Sequence, residues 1–173
     1  MTALVHRVKV RGLSEDLDRI FKEHHAMVYR AAYRITGNAE DAEDVLQTLF
    51  LRLLRRENPP EFHSNPKAYL HRAAINIALD VIRVRKPNVP TDESLPVDDR
   101  TKEAVEAHQI VRSALADLPA KAAEMFLLKY VEGYDNHEIA RLVGTSRGSV
   151  AVMLFRARAR LKKSIRHQME GKL

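Results

Sequence analysis

Apolar residues return every three or four positions in block after block, broken only at proline and glycine clusters, and an amphipathic α-helix is the structure that satisfies such a period. The first block is Leu17, Ile20, Phe21, His24, Met27, Val28, Ala31, Ala32 and Ile35, with Ser14 as N-cap and Gly37 as the stop. Asn38 then caps a second helix carrying Ala42, Val45, Leu46, Leu49, Phe50, Leu53 and Leu54, with Asp41 imitating a capping box three residues on. Glu57-Asn58-Pro59-Pro60 ends it, because paired prolines cannot continue a helix. Asn65-Pro66 restarts the chain, and a third helix runs to about Lys86 with Tyr69, Leu70, Ala73, Ala74, Ile77, Ala78, Val81 and Ile82 inward. Leu4-Val5 and Val8-x-Val10 are too short to argue for strands.

From Pro87 to about Lys102 the periodicity disappears, and Pro87, Pro90 and Pro96 mix with Asp92, Glu93, Asp98 and Asp99, which predicts an extended acidic linker. Further helices follow near Glu103–Asp117, from Pro119 to about Val131, from Asn136 to Val143 and from Arg147 to about His167. The predicted fold class is therefore all-α, with two small helical domains: an N-terminal bundle and a C-terminal helix-turn-helix domain, joined by the flexible linker. The predicted boundaries are a basic N-terminal tail over 1–13, the bundle over 14–86, the linker over 87–102 and the second domain over 103–173.

With 173 residues, the chain has room for one ordinary domain or two small ones. No apolar run approaches the roughly 18–20 residues of a membrane span, and the N-terminus lacks the pattern of a secretory signal. Cysteine is absent, which removes disulfides and thiolate chemistry and makes the cytoplasm the expected compartment. The six glycines form no phosphate-cradling loop, and neither a G-x-S-x-G elbow nor an H-E-x-x-H pair occurs, so the chain is not expected to be an enzyme. The histidines lack i, i+4 ligand pairing, and neither metal nor other cofactor is expected. The net charge of +6 is unevenly spread: +3 over 1–13, −2 over 14–57, +3 over 58–86, −4 over 87–118 and +6 over 119–173. Two basic blocks flanking an acidic one suggest two surfaces that face a polyanion.

The most specific local pattern lies in the last block. Asp135-Asn136-His137-Glu138 opens a short helix as a capping box, Gly144 permits a sharp turn, and Ser146 caps a helix with the core stripe Val150, Leu154, Ala157 and Leu161. A small Ala140, the turn glycine and the plugging Val150 are spaced as a helix-turn-helix requires, and Arg156, Arg158, Arg160, Lys162, Lys163 and Arg166 follow directly. An ordinary helical hairpin is the bland reading, and the run of cations favours DNA over it. Ala151-Val152-Met153, at the exposed middle of the helix, carry no hydrogen-bonding side chains. Base readout is thus expected from Arg147 and Ser149, with phosphate contacts from Arg156 and Arg158.

Two features of the first half remain. Glu40, Asp41, Glu43 and Asp44 crowd the start of the second helix, where its dipole favours them, and Gln47-Thr48 extend the polar side beside an apolar ridge as a docking face for a basic partner. On the third helix Asn76 interrupts an apolar and basic pattern. Lys67, His71 and Arg72 stand at one end of that helix, Arg83, Arg85 and Lys86 at the other, and Phe62 and Tyr69 offer aromatic faces for a single-strand platform.

In this order, Asp41-Ala42-Glu43-Asp44-Val45-Leu46-Gln47, Tyr69-Leu70-x-x-Ala73-Ala74-x-Asn76-x-Ala78-x-Asp80, Glu138-Ile139-Ala140-x-x-Val143-Gly144-x-Ser146-x-Gly148-Ser149-Val150 and Arg156-Ala157-Arg158 resemble a bacterial RNA polymerase sigma factor of the extracytoplasmic-function (ECF) group. The likeness spans about residues 15–166, and Asn65-Pro66-Lys67-Ala68-Tyr69 further resembles the iron-uptake, ferric-citrate-type branch. The chain departs from the family at Tyr69, where tryptophan is common, and at Ala151 and Met153, where many members carry basic or polar residues.

The resemblance implies a division of labour. Asp41, Glu43, Asp44 and Gln47 would dock on the clamp coiled coil of the polymerase largest subunit, with the flap as a second contact. Phe62, Lys67, Tyr69, Arg72, Asn76 and Arg83 would bind the minus-ten element, the loop from Asn58 to Ser64 capturing a flipped base in front of Asn76. Arg147, Ser149, Arg156 and Arg158 would bind the minus-thirty-five element. Core polymerase, promoter DNA and a soluble or membrane-bound anti-sigma factor are the implied partners. Two other readings stand beside it: a stand-alone helix-turn-helix regulator, which gives no task to the acidic helix or Asn76, and a protein that only sequesters another factor, which would leave DNA unbound.

Overall fold

The computed structural model describes residues 2–55, 65–85 and 99–170, with side chains from residue 17 onward in the first stretch and from residue 103 onward in the last. Seven helices make up these residues: α1 (Thr2–Thr36), α2 (Ala39–Leu54), α3 (Pro66–Val84), α4 (Asp99–Ala116), α5 (Ala120–Tyr130), α6 (Asn136–Val143) and α7 (Arg147–Glu170). The first is longer than its periodicity suggests. It runs through the basic segment expected to be a tail, so Ser14 falls inside the helix rather than at its N-terminus. Extending a formed helix adds one hydrogen bond per ordered residue, and one interior glycine, Gly12, costs only about 1 kcal/mol.

The chemistry of the helix ends follows the sequence. Gly37 takes φ 66° and closes α1, and Asn38 Oδ1 accepts from Asp41 N at 3.1 Å to start α2. Asn65 Oδ1 accepts from Ala68 N at 3.0 Å at the head of α3. Asp135 and Glu138 form a full capping box on α6, and Gly144, at φ 68°, ends it. The paired prolines, the loop Asn58–Ser64 with Phe62, and the linker up to residue 98 lie outside the described residues.

α1, α2 and α3 pack on one another as the N-terminal unit, while α7 gathers α4, α5 and α6 into the C-terminal unit. The core stripe of α7 (Val150, Leu154, Ala157, Leu161) is buried as expected, as are Leu17, Ile20, Val28, Ala31, Ala32 and Ile35 of the α1 stripe, whereas Phe21 of that stripe is 39% exposed. Leu54 is not part of the core of α2, being 59% exposed. On α3, Ile75 and Leu79 are buried beside the expected residues, because this helix is covered on a second side by α4 and α5. A helix apolar over most of its circumference is a helix with partners on more than one side.

Candidate nucleic-acid and polymerase interfaces

On α2 the acidic residues divide by depth. Glu40, Glu43, Asp44 and Gln47 are exposed, whereas Asp41 is 5% exposed with Oδ1 2.6 Å from Arg85 Nη1. Burial pushes the Asp41 carboxyl above its usual range, and the Arg85 guanidinium opposes that shift. Asp41 is thus an interior tie between α2 and the end of α3, and it leaves the docking face expected of it. At 100° per residue, Glu43, Asp44, Gln47, Leu51 and Leu54 fall on one side of α2. Leu51 is 47% exposed, so the acidic head of this ridge continues into an uncovered apolar end.

α3 carries most of the residues expected to meet the melted strand, and several already have protein partners. Lys67 is exposed, and Tyr69 is half-buried against the core. Arg72 Nε donates to Glu124 Oε1 at 2.5 Å and its Nη1 to the Leu142 carbonyl at 2.5 Å. Asn76 Nδ2 donates to the same Glu124 oxygen at 3.2 Å, and Arg83 Nη2 to the Leu118 carbonyl at 3.3 Å. His71 is no surface cation. It is buried, with Nδ1 2.9 Å from the Tyr134 hydroxyl and Nε2 3.4 Å from Glu132 Oε2. Burial lowers its pKa against the opposing pull of Glu132, and burial likewise raises that of Tyr134.

Glu124, Glu132 and Tyr134 have no place among the residues expected from sequence to form a site. A signal for Glu124 exists: it is a carboxylate between Ala123 and Met125 on the inner stripe of α5, where only a paired charge is tolerated.

The helix-turn-helix forms as expected. Arg147, Ser149, Arg156 and Arg158 are all exposed. Arg147 and Arg158 share one side of α7 and border a cleft of about 490 Å³ together with Lys129 and His137. Ser149 and Arg156 lie on the opposite flank by helical spacing. Ser149 Oγ is 2.9 Å from the Oγ of the N-capping Ser146. Between the flanks stand Val152 and Phe155, 50% and 67% exposed. Met153, expected beside them in solvent, is instead partly buried against the core.

Comparison with known proteins gives this arrangement its family. Residues 20–87 match sigma-70 region 2 and residues 108–161 match sigma-70 region 4. The chain is 32% identical over 164 residues to the ECF RNA polymerase sigma factor SigM of Mycobacterium tuberculosis, covering 94% of this chain and 83% of that one. It belongs to the ECF RNA polymerase sigma factors. It is also 25% identical over 169 residues to SigW of Bacillus subtilis, with 87% and 88% of the two chains covered. Among solved structures, the sigma factor RpoE of Bartonella quintana, in complex with the anti-sigma factor NepR, shares the fold at TM-score 0.52 and 19% identity, over 88% of this ECF chain and 98% of its own. No helix among the described residues of this sigma factor is long and apolar enough to cross a membrane.

Proposed function

We propose that this chain binds core RNA polymerase and selects promoters for it, reading a minus-ten element with its N-terminal unit and a minus-thirty-five element with its C-terminal unit. The observation that carries the reading is the ordered pair of sigma-70 regions, on a chain whose α2 exposes an acidic and apolar ridge to a partner. Glu43, Asp44 and Gln47, extended by Leu51 and Leu54, form the face for the clamp coiled coil. Lys67, Tyr69, Arg72, Asn76 and Arg83, with Phe62 from the preceding loop, hold the opened strand. Extruding a base costs a few kcal/mol, which pocket and phosphate contacts must offset. The polymerase performs the chemistry; this chain chooses where, and its compartment is the cytoplasm with the polymerase.

At the minus-thirty-five element, Arg147 and Arg158 on one flank of α7 and Ser149 and Arg156 on the other straddle the groove on phosphates and base edges. Val152 and Phe155, between them, face the base pairs with apolar surface, which suits thymine methyl groups. A soluble or membrane-bound anti-sigma factor is the expected regulator, supported by the complex of the Bartonella quintana relative. The narrower assignment to the ferric-citrate-type branch is supported by the Asn65–Tyr69 segment alone.

The deciding experiment mixes the purified chain with core polymerase and transcribes a promoter library. Co-elution and a defined start-site motif are expected, with Asp44→Lys losing co-elution and Asp41→Asn keeping it. A chain that binds duplex DNA without polymerase, and confers no start-site choice, would be a stand-alone regulator.

A further inference from the structure

We propose that the recognition helix α7 tells pyrimidines apart by the methyl group on C5 alone, so that 5-methylcytosine serves in place of thymine and cytosine methylation strengthens a promoter for this chain. Gly148 is the residue that lets the helix come close enough to meet that group. The proposal deepens the minus-thirty-five reading given above and rests on it.

At 100° per residue, Gly148, Val152, Phe155 and Ala159 form a ridge on the side of α7 opposite the buried stripe of Val150, Leu154, Ala157 and Leu161. All four are exposed, and none has a side chain that donates or accepts a hydrogen bond. Arg147 and Arg158 run along one flank of this ridge, Ser149 and Arg156 along the other, so cations border an apolar strip on both sides. A protein groove would have to be acidic on both rims to take such a strip. The DNA major groove has that form already, since a phosphate backbone makes each wall.

Against the floor of that groove the ridge has one thing to read. An A·T pair shows N7, O4 and one amino group there, and a G·C pair shows N7, O6 and one amino group. An apolar ridge pairs with none of these, and either base pair leaves two acceptors and one donor facing it, so the loss is alike for both. The methyl group on C5 of thymine is what remains to distinguish them. Cytosine methylated at C5 carries the same group at the same ring position, and to this ridge it is a thymine.

Gly148 is a second, independent observation. It lies in the first turn of α7 outside the left-handed region, where alanine would make the better helix. A Cβ there would meet nothing of this chain closer than Ser146 Oγ at 3.9 Å, an ordinary contact. The fold thus has no use for the missing side chain. Its place on the ridge, one turn ahead of Val152, supplies the use: bare backbone admits the groove floor and brings Val152 and Phe155 into van der Waals range of a base edge.

The test assembles the full chain with core polymerase and titrates duplexes carrying the motif selected from the promoter library, each thymine replaced in turn by deoxyuridine. At the position where deoxyuridine weakens binding, cytosine and 5-methylcytosine, each opposite guanine, are then compared. 5-Methylcytosine should bind about fourfold more tightly than cytosine, the same gain as thymine over deoxyuridine, as one buried methyl group predicts. Both gains should shrink together in Val152→Ala or Phe155→Ala, which separates contact with the methyl group from a change in duplex stiffness. Gly148→Ala should keep or raise the denaturation midpoint, yet weaken duplex binding severalfold and remove both gains. Equal binding of cytosine and 5-methylcytosine, with thymine still favoured over deoxyuridine, would overturn the proposal and leave the thymine reading intact. Gains that persist in full in Gly148→Ala would overturn the role of that glycine. A motif in which no deoxyuridine matters would overturn methyl readout altogether, whereas the absence of any selected motif would overturn promoter selection itself.

Discussion

Gly37 joins two demands at one Cα. Its φ of 66° lies where L side chains are strained, and a Cβ there would stand 2.7 Å from His108 Cε1 of α4. Gly144 has φ 68° but open space around it. Gly37→Ala should therefore lower stability by about 1–3 kcal/mol, and by more than Gly144→Ala; chemical denaturation midpoints of the two variants make the comparison. His108 and His71 both sit where N-terminal and C-terminal helices meet, and burial lowers the pKa of each. Glu132 opposes the shift at His71, while Lys67, Arg34 and His24 reinforce it; Arg112 reinforces the shift at His108. A depressed folded-state pKa favours the neutral imidazole, so the contribution is present above the unfolded value near 6.5 and is lost as pH falls below it. Melts between about pH 8 and pH 5 should show that loss, and the double variant His71→Gln, His108→Gln should flatten it.

At the scale of elements, what the sequence made legible was whatever is settled locally. Asn38, Asn65 and Asp135 cap the helices they were read to cap, and Gly37 and Gly144 end theirs, because a cap needs only its own neighbours. α6 and the buried stripe of α7 were legible for the same reason. The reach of α1 through residues 2–13 was not, since helix propagation from a stable segment leaves no stop signal to read. The polar placements also depended on long-range packing: Asp41 turned inward and Leu54 outward according to what covers each face of α2. On α3, Ile75 and Leu79 were an available sign of a second covered side. The recognition helix carries its own prediction. If Val152 and Phe155 read methyl groups, replacing thymine by deoxyuridine at a single contacted position should cost severalfold in duplex binding, roughly the 0.8 kcal/mol of one buried carbon. Val152→Ala should reduce that sensitivity; a mobility-shift titration with paired probes measures both.

At the scale of the whole molecule, the two sigma-70 regions are separate in sequence and continuous in space, with α3 common to both sides. Composition could reveal the two basic blocks but not that acids of one would cap cations of the other. Glu124 and Arg72 are 52 residues apart, and nothing local pairs them. The same guanidinium thus has two rivals, an internal carboxylate and an external phosphate, and mobile ions weaken its attraction to either. Added potassium chloride should loosen the Arg72–Glu124 pair even as it discourages the strand, so the two losses partly cancel. A plot of log affinity against log salt concentration should be shallower for the native chain than for Glu124→Gln, in which the rival carboxylate at that guanidinium is gone. Low ionic strength, where the internal pair is most fully formed, would then be the range over which added salt takes least from the grip on an opened promoter.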